Sequence, residues 1–155
     1  MKKTGLALFV LVFLMSSCKR DEGVSQINTF RGAVWERFDF LHFQLPVEDV
    51  SDLYDISAIM RYTKDFPGDY LHVNLVMTGP SGEERIRDYK LYVRDIDGQM
   101  LGEENDGVYE RVITIREDMR FGQTGKVAFE IENLMTKVFT PGIVEFGMMI
   151  KPAED

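Results

Sequence analysis

The sequence predicts an all-β fold: an antiparallel β-sandwich, jelly-roll or immunoglobulin-like, of about seven or eight strands with at most one short helix. Three observations predict it. Apolar residues recur at every second position through most of the chain from Leu41 to Ile150, the mark of strands with one buried and one wetter face. Turn-forming residues punctuate the runs at short intervals. A helical pattern is confined to Asn133–Val138, one turn or two at most. A closed barrel is the main alternative architecture.

The elements follow in order. Lys19 to about Thr29 is polar and aperiodic and reads as a tether. Leu41, Phe43 and Leu45 face one way, His42 and Gln44 the other. Tyr54, Ile56, Ala58, Met60 and Tyr62 alternate with Asp55, Ser57, Ile59 and Arg61. Leu71, Val73, Leu75 and Met77 alternate with His72, Asn74, Val76 and Thr78. Tyr89, Leu91 and Val93 oppose Lys90, Tyr92 and Arg94, and Val127, Phe129 and Ile131 oppose Ala128 and Glu130. Val144, Phe146, Met148 and Ile150 close the series. Val108 to Ile115 is rich in β-branched residues but alternates less cleanly. Phe66-Pro67-Gly68-Asp69, Gly79-Pro80-Ser81-Gly82, Asp97-Gly98, Asn105-Asp106-Gly107 and Thr140-Pro141-Gly142 supply the turns.

The N-terminus has a different chemistry. Lys2 and Lys3 precede an apolar run from Leu6 to Met15, then Ser16, Ser17 and Cys18. A basic start, a short apolar core and small residues before a cut make a signal peptide. The run is too short to span a bilayer, which needs about 20 apolar residues. Met15-Ser16-Ser17-Cys18 resembles the lipobox of bacterial lipoproteins, so Cys18 is the expected site of lipid attachment. It is the only cysteine, which rules out an internal disulfide, and acylation would remove a free thiol. The expected organisation is therefore 1–17 as a removed lipoprotein signal peptide, 18–29 as a lipid-anchored tether and 30–155 as a single sandwich domain. Lys19, Arg20, Asp21 and Glu22 resemble the short signal that sends some Bacteroidota lipoproteins to the cell surface. Arg20 interrupts the pattern, so surface and periplasmic face of the outer membrane are both carried forward.

Charge narrows the partners. The chain has 18 basic and 26 acidic side chains, and loss of Lys2 and Lys3 leaves 16 against 26, a net charge of −10. An acidic domain repels phosphate backbones, so no nucleic-acid partner is expected.

Candidate catalytic and metal chemistry is thin. His42 and His72 lie on different strands, each on the polar side, and read as surface histidines rather than zinc ligands. Asp95-Ile96-Asp97-Gly98 resembles the opening of a calcium loop, but Asp106 stands at the twelfth position where the longer glutamate belongs. It reads as a turn with Gly98 at positive φ, although Glu103, Glu104 and Asp106 lie close in sequence. No Gly-x-Ser-x-Gly element and no phosphate-cradling glycine loop is present, and an acylated Cys18 cannot be a nucleophile. The expectation is no catalytic residue, no metal and no cofactor. Phe30, Trp35, Phe38, Phe40 and Phe43 crowd the domain start. They read as core, with a ligand platform as the alternative if several prove exposed.

From Trp35 onward the chain resembles the GldH family, gliding-motility-associated lipoproteins of Bacteroidota. The matching features run in order: Trp35 with Phe40 and Phe43, Tyr54-Asp55-Ile56, Arg61, Phe66-Pro67, Pro80-Ser81-Gly82, Asp97-Gly98 and Leu101-Gly102. Leu134-Met135, Pro141-Gly142-Ile143 and a closing strand with Gly147 complete the set. Tyr70-Leu71 stands where the family has Asn-Leu, and Met100 where it has an aromatic residue. The resemblance implies a non-enzymatic envelope component linked to gliding and to type IX secretion, acting through protein partners and attached to the outer membrane by lipid on Cys18. A surface module that binds glycan or peptide is the second hypothesis, and a hydrolase the third. An exposed aromatic groove would favour the second and two facing carboxylates in a cleft the third. An apolar patch or a free strand edge would favour the first.

Overall fold

The computed structural model describes residues 23–154. Cys18, the signal peptide before it and Lys19 to Glu22 lie outside the described residues. Eleven strands are described: β1 (Val24–Thr29), β2 (Val34–Glu36), β3 (Leu41–Val47), β4 (Tyr54–Tyr62), β5 (Tyr70–Thr78), β6 (Glu84–Tyr92), β7 (Glu103–Asn105), β8 (Val108–Met119), β9 (Gly125–Asn133), β10 (Phe139–Pro141) and β11 (Ile143–Pro152). A five-stranded sheet runs β1-β11-β4-β8-β7 and a four-stranded sheet runs β3-β9-β5-β6, while β10 and β2 form a separate ribbon. Every pairing is antiparallel.

The two larger sheets bury their inner faces against each other, as the period-two pattern predicts. Leu41, Phe43 and Leu45 from β3 meet Val127, Phe129 and Ile131 from β9 in register, and all six are buried. Leu71, Val73, Leu75 and Met77 of β5 are buried with them, as are Phe146, Met148 and Ile150 of β11. Trp35, fully buried, stacks on Phe30 at 5.0 Å and packs against Phe146 at 5.4 Å. Its Nε1–H donates to the Asp39 carbonyl at 2.8 Å, which satisfies the polar end of an otherwise apolar side chain.

Several expectations change in detail. The strand count is higher than seven or eight because three short strands, β2, β7 and β10, carry too few residues to show a period. The boundary at Thr29 moves: Val24–Thr29 is β1, hydrogen-bonded along its length to β11. Backbone pairing needs no apolar period, so an exposed edge strand looks aperiodic. Asn133–Val138 is not a helix. Asn133 ends β9, and its Oδ1 accepts from Met135 N–H at 2.9 Å in a tight side-chain turn. The only helical residues described are the single 3-10 turn at Arg31–Ala33. Ser57 and Ile59, expected on the wet side of β4, are buried. β4 has a neighbour on each side, and Ser57 pairs with Thr114 through their hydroxyls at 3.3 Å.

The register also orients the molecule. Val24 pairs with Ile150 and Thr29 with Glu145, so the chain enters β1 at one end of the sandwich. The β2–β10 ribbon lies past the other end, where Phe30 N–H donates to Val144 O at 2.9 Å. With about 3.4 Å of rise per residue, the length of β1 separates its N-terminal end from the ribbon end by about 17 Å.

Candidate functional site

The ribbon end gathers apolar side chains in the open. β10 pairs with β2, placing Phe139 opposite Glu36, and Arg37 N–H donates to Val138 O at 2.7 Å. The turn that follows is closed by Asp39 N–H on Glu36 O at 3.0 Å and by the Trp35 indole. This pairing brings 36–40 alongside 138–139. Phe38 is 68% exposed, Phe139 59%, Val138 44% and Phe40 41%. Contiguous exposed apolar patches mark interaction sites on soluble domains. The aromatic-rich start of the domain thus divides: Phe30, Trp35 and Phe43 are core, whereas Phe38 and Phe40 are surface. Val138 and Phe139 were not singled out from sequence, because their place beside Phe38 depends on a ribbon pairing across about a hundred residues.

Phe40 also borders a groove of about 480 Å³ between β1 and β3, shared with Ile27, Gln26, Asn28, Asp39 and His42. Gln26 Oε1 accepts from Gln44 N–H at 2.8 Å and ties these two edge strands together. On this flank the sandwich is closed by side chains rather than by a continuous sheet.

The histidines are not brought together. β3 and β5, which carry His42 and His72, are separated by β9. Each faces its own carboxylate at 3.6 Å, His42 Nδ1 on Glu130 and His72 Nε2 on Asp88. The Asp95 carboxylate is turned to structural use: its Oδ1 accepts from Asp97 N–H at 2.9 Å and Gln99 N–H at 2.8 Å. Gly98 has φ +78°, the left-handed conformation expected of it. No group of three or more potential metal ligands occurs among the described residues.

The outer face of the five-stranded sheet carries one ion-pair cluster. Arg61 Nε meets Glu110 at 2.6 Å and its Nη1 meets Glu145 at 3.2 Å. The Glu110 hydrogen bond and the charges of both carboxylates raise the guanidinium pKa further. Below this row, Ile27, Gly147, Ile59 and Val112 align across the strands. Gly147 is required by close approach: a Cβ there would stand 2.5 Å from Gln26 O.

Comparison with known proteins gives one clear family. The family described as GldH lipoprotein matches residues 23–150. The Flavobacterium johnsoniae protein named "Gliding motility lipoprotein GldH" is 23% identical over 126 residues, covering 81% of this chain and 78% of that protein. Among solved structures, Pseudomonas aeruginosa AlgX is similar with a TM-score of 0.41 and 14% identity, over 89% of this chain and 27% of that one. A structure of infectious bursal disease virus, Gx strain, is similar with a TM-score of 0.35 and 11% identity, over 88% of this chain and 30% of that one. The chain spans under a third of either, and at such scores neither likeness bears on function.

Proposed function

The chain belongs to the GldH lipoprotein family, and on that premise we propose that it is a lipid-anchored, non-enzymatic accessory protein of the outer membrane that serves gliding motility and type IX secretion by binding a protein partner. Lipid on Cys18 is the anchor. Acyl chains on that residue attach strongly, since each buried methylene contributes about 0.8 kcal/mol, and the domain then needs no membrane-binding surface of its own.

The observation that carries the interaction reading is the exposed group Phe38, Phe40, Val138 and Phe139. It lies at the far end of β1 from the tether. Residues 18–23 extend to about 20 Å at most, so a domain held by Val24 would present the aromatic end away from the bilayer, where a partner in the envelope can reach it. Aromatic anchors of this kind dominate the energetics of protein interfaces.

The test uses cells in which motility can be scored. A photo-crosslinking residue replaces Phe139, and separately Phe38→Asp and Phe139→Asp are combined. Expected are a discrete crosslinked protein and loss of motility, with the charged variant still folded and still in the membrane fraction. Wild-type motility in the double variant would remove the patch from the mechanism. A glycan- or peptide-binding module is the second reading, favoured by the groove beneath Phe40 with its polar Gln26, Asn28, Asp39 and His42. Saturable oligosaccharide binding abolished by Phe40→Ala would establish it in place of the first.

A further inference from the structure

The flank opposite β1 and β3 is open. β7 covers only Val108–Glu110 of β8, so beyond that stretch β8 is an edge, and β6 is the edge of the facing sheet. Between them lies a cavity of about 290 Å³, with Ile56, Leu75 and Met77 in its floor and Arg85, Arg87 and Arg116 at its rim.

The arginines are aimed there by the fold. Arg85 and Arg87 sit opposite Met77 and Leu75 in the β5–β6 ladder, so they share the inner face of the sheet with core residues. Arg116 reaches the same place through an irregularity. Val112 and Thr114 pair with Ile59 and Ser57 on the outer face, and strict alternation would send Arg116 outward too. The register shifts between Ser57 and Ile56, inserting Ile115 and setting Arg116 opposite Ile56, whose side chain is core. Bulges re-aim side chains in this way. None of the three arginines forms an ion pair among the described residues. Arg87 instead lies over the Tyr89 ring, 5.9 Å from its centroid. In a chain with 26 acidic and 18 basic residues, three guanidinium groups around an apolar floor, of which Arg85 alone acts on a carboxylate, that of Glu83, are complementary to negative charge carried beside an apolar group.

The β6 backbone adds a third element. Val93 N–H bonds Asp69 O at 2.7 Å on the β5 side, whereas Tyr92 O is taken from the opposite side by Arg111 Nη1. By strand alternation the N–H and C=O groups of Glu84, Ile86, Asp88 and Lys90 then point to the open side. We infer that this flank binds an extended acidic segment of a protein partner, which adds a strand to β6, seats one apolar side chain in the cavity and sets carboxylates against Arg85, Arg87 and Arg116. Strand addition takes affinity from the backbone and specificity from alternate side chains. The cavity of about 290 Å³ has room for one apolar side chain of such a strand. This surface is separate from the aromatic end and does not depend on its role.

The experiment uses the full acylated chain in detergent micelles and a phage-displayed random nonapeptide library. The best peptide, labelled with fluorescein, is then titrated by anisotropy against the wild type, Arg116→Gln and the Arg85→Gln, Arg87→Gln double variant, each checked by circular dichroism. Expected are selected peptides with aspartate or glutamate at alternate positions around one apolar residue. Arg116→Gln should weaken binding about tenfold, and methylating alternate peptide nitrogens should weaken it comparably. Selection without acidic alternation, or unchanged affinity in the arginine variants, would overturn the inference. So would displacement of the peptide by phosphatidylglycerol vesicles. Arginines also discourage edge-to-edge pairing; variants that dimerise while still binding peptide would assign them that role alone and overturn this one.

Discussion

Phe129→Ala tests the sandwich at its centre. Phe129 is 1% exposed and lies between Phe43 on β3 and Met77 on β5, opposite both in register. A buried phenylalanine removes about 150–250 Å² from water, which at about 25 cal/mol per Å² is about 4–6 kcal/mol. Residual burial in the unfolded chain and the retained methyl group bring this to about 3–5 kcal/mol, the range seen for such truncations. A typical domain has about 5–15 kcal/mol in all, so the variant should fold but marginally. The chain has one tryptophan, and Trp35 is fully buried, so urea unfolding can be followed by its emission. With a denaturant slope of about 2 kcal/mol/M, the midpoint should fall by about 1.5–2.5 M. Phe38→Ala makes the same chemical change at a 68% exposed position and should shift stability by less than about 0.5 kcal/mol. Equal effects at the two positions would refute the strand phase on which the whole core rests.

Four further outcomes are expected. Cys18→Ser should release a folded domain from the membrane or leave an uncut precursor; a processed variant that still sediments with membranes would show that the domain binds by itself. Gly147→Ala puts a Cβ 2.5 Å from Gln26 O, so hydrogen exchange should show β1 amides losing protection while β5 and β9 keep theirs; uniform protection would contradict the close approach. Burial raises the Tyr62 pKa above its ordinary value, so its contribution to stability is whole below pH about 10 and is lost as pH rises through the raised value; Tyr62→Phe should flatten the alkaline limb of a stability–pH curve, and an unaltered limb would place the effect elsewhere. Protease added to intact cells should digest the domain if it is displayed on the surface, while protection until lysis would place it in the periplasm and remove the glycan-capturing reading.

The alternation of β3, β5 and β9 was legible because each has one wet face, and every apolar position read there as inward is core. β4 was legible as a strand but not as a central one, since Ser57 and Ile59 look like outward residues until neighbours on both sides cover them. β1 was hidden for the opposite reason: an edge strand held by backbone hydrogen bonds buries too little to leave a period. The irregular alternation of β8 comes from an outward apolar residue, Val112, beside inward Ile113, and its bulge follows at the end of that run, near Ile115. Sequence alone could not say that this bulge turns Arg116 inward, because the direction is set by the partner strand. Phe38 and Phe40 look like core residues by composition, yet the β2–β10 pairing leaves them outside.

The position of β11 between β1 and β4 governs when the domain can exist at all. Its partner β1 stands first among the described strands, and Thr29 and Glu145, whose side chains meet across that ladder, are 116 residues apart. A chain delivered N-terminus first, from a ribosome or through a translocation channel, holds β1 and β4 with a gap between them until its last strand emerges. Long-range closure of this kind is slow, and here it cannot begin early. The four-stranded sheet β3-β9-β5-β6 needs no residue beyond Asn133, whereas the five-stranded sheet waits for β11, so that truncation within Ile143–Pro152 should leave a product with one sheet unclosed that does not reach the native fold.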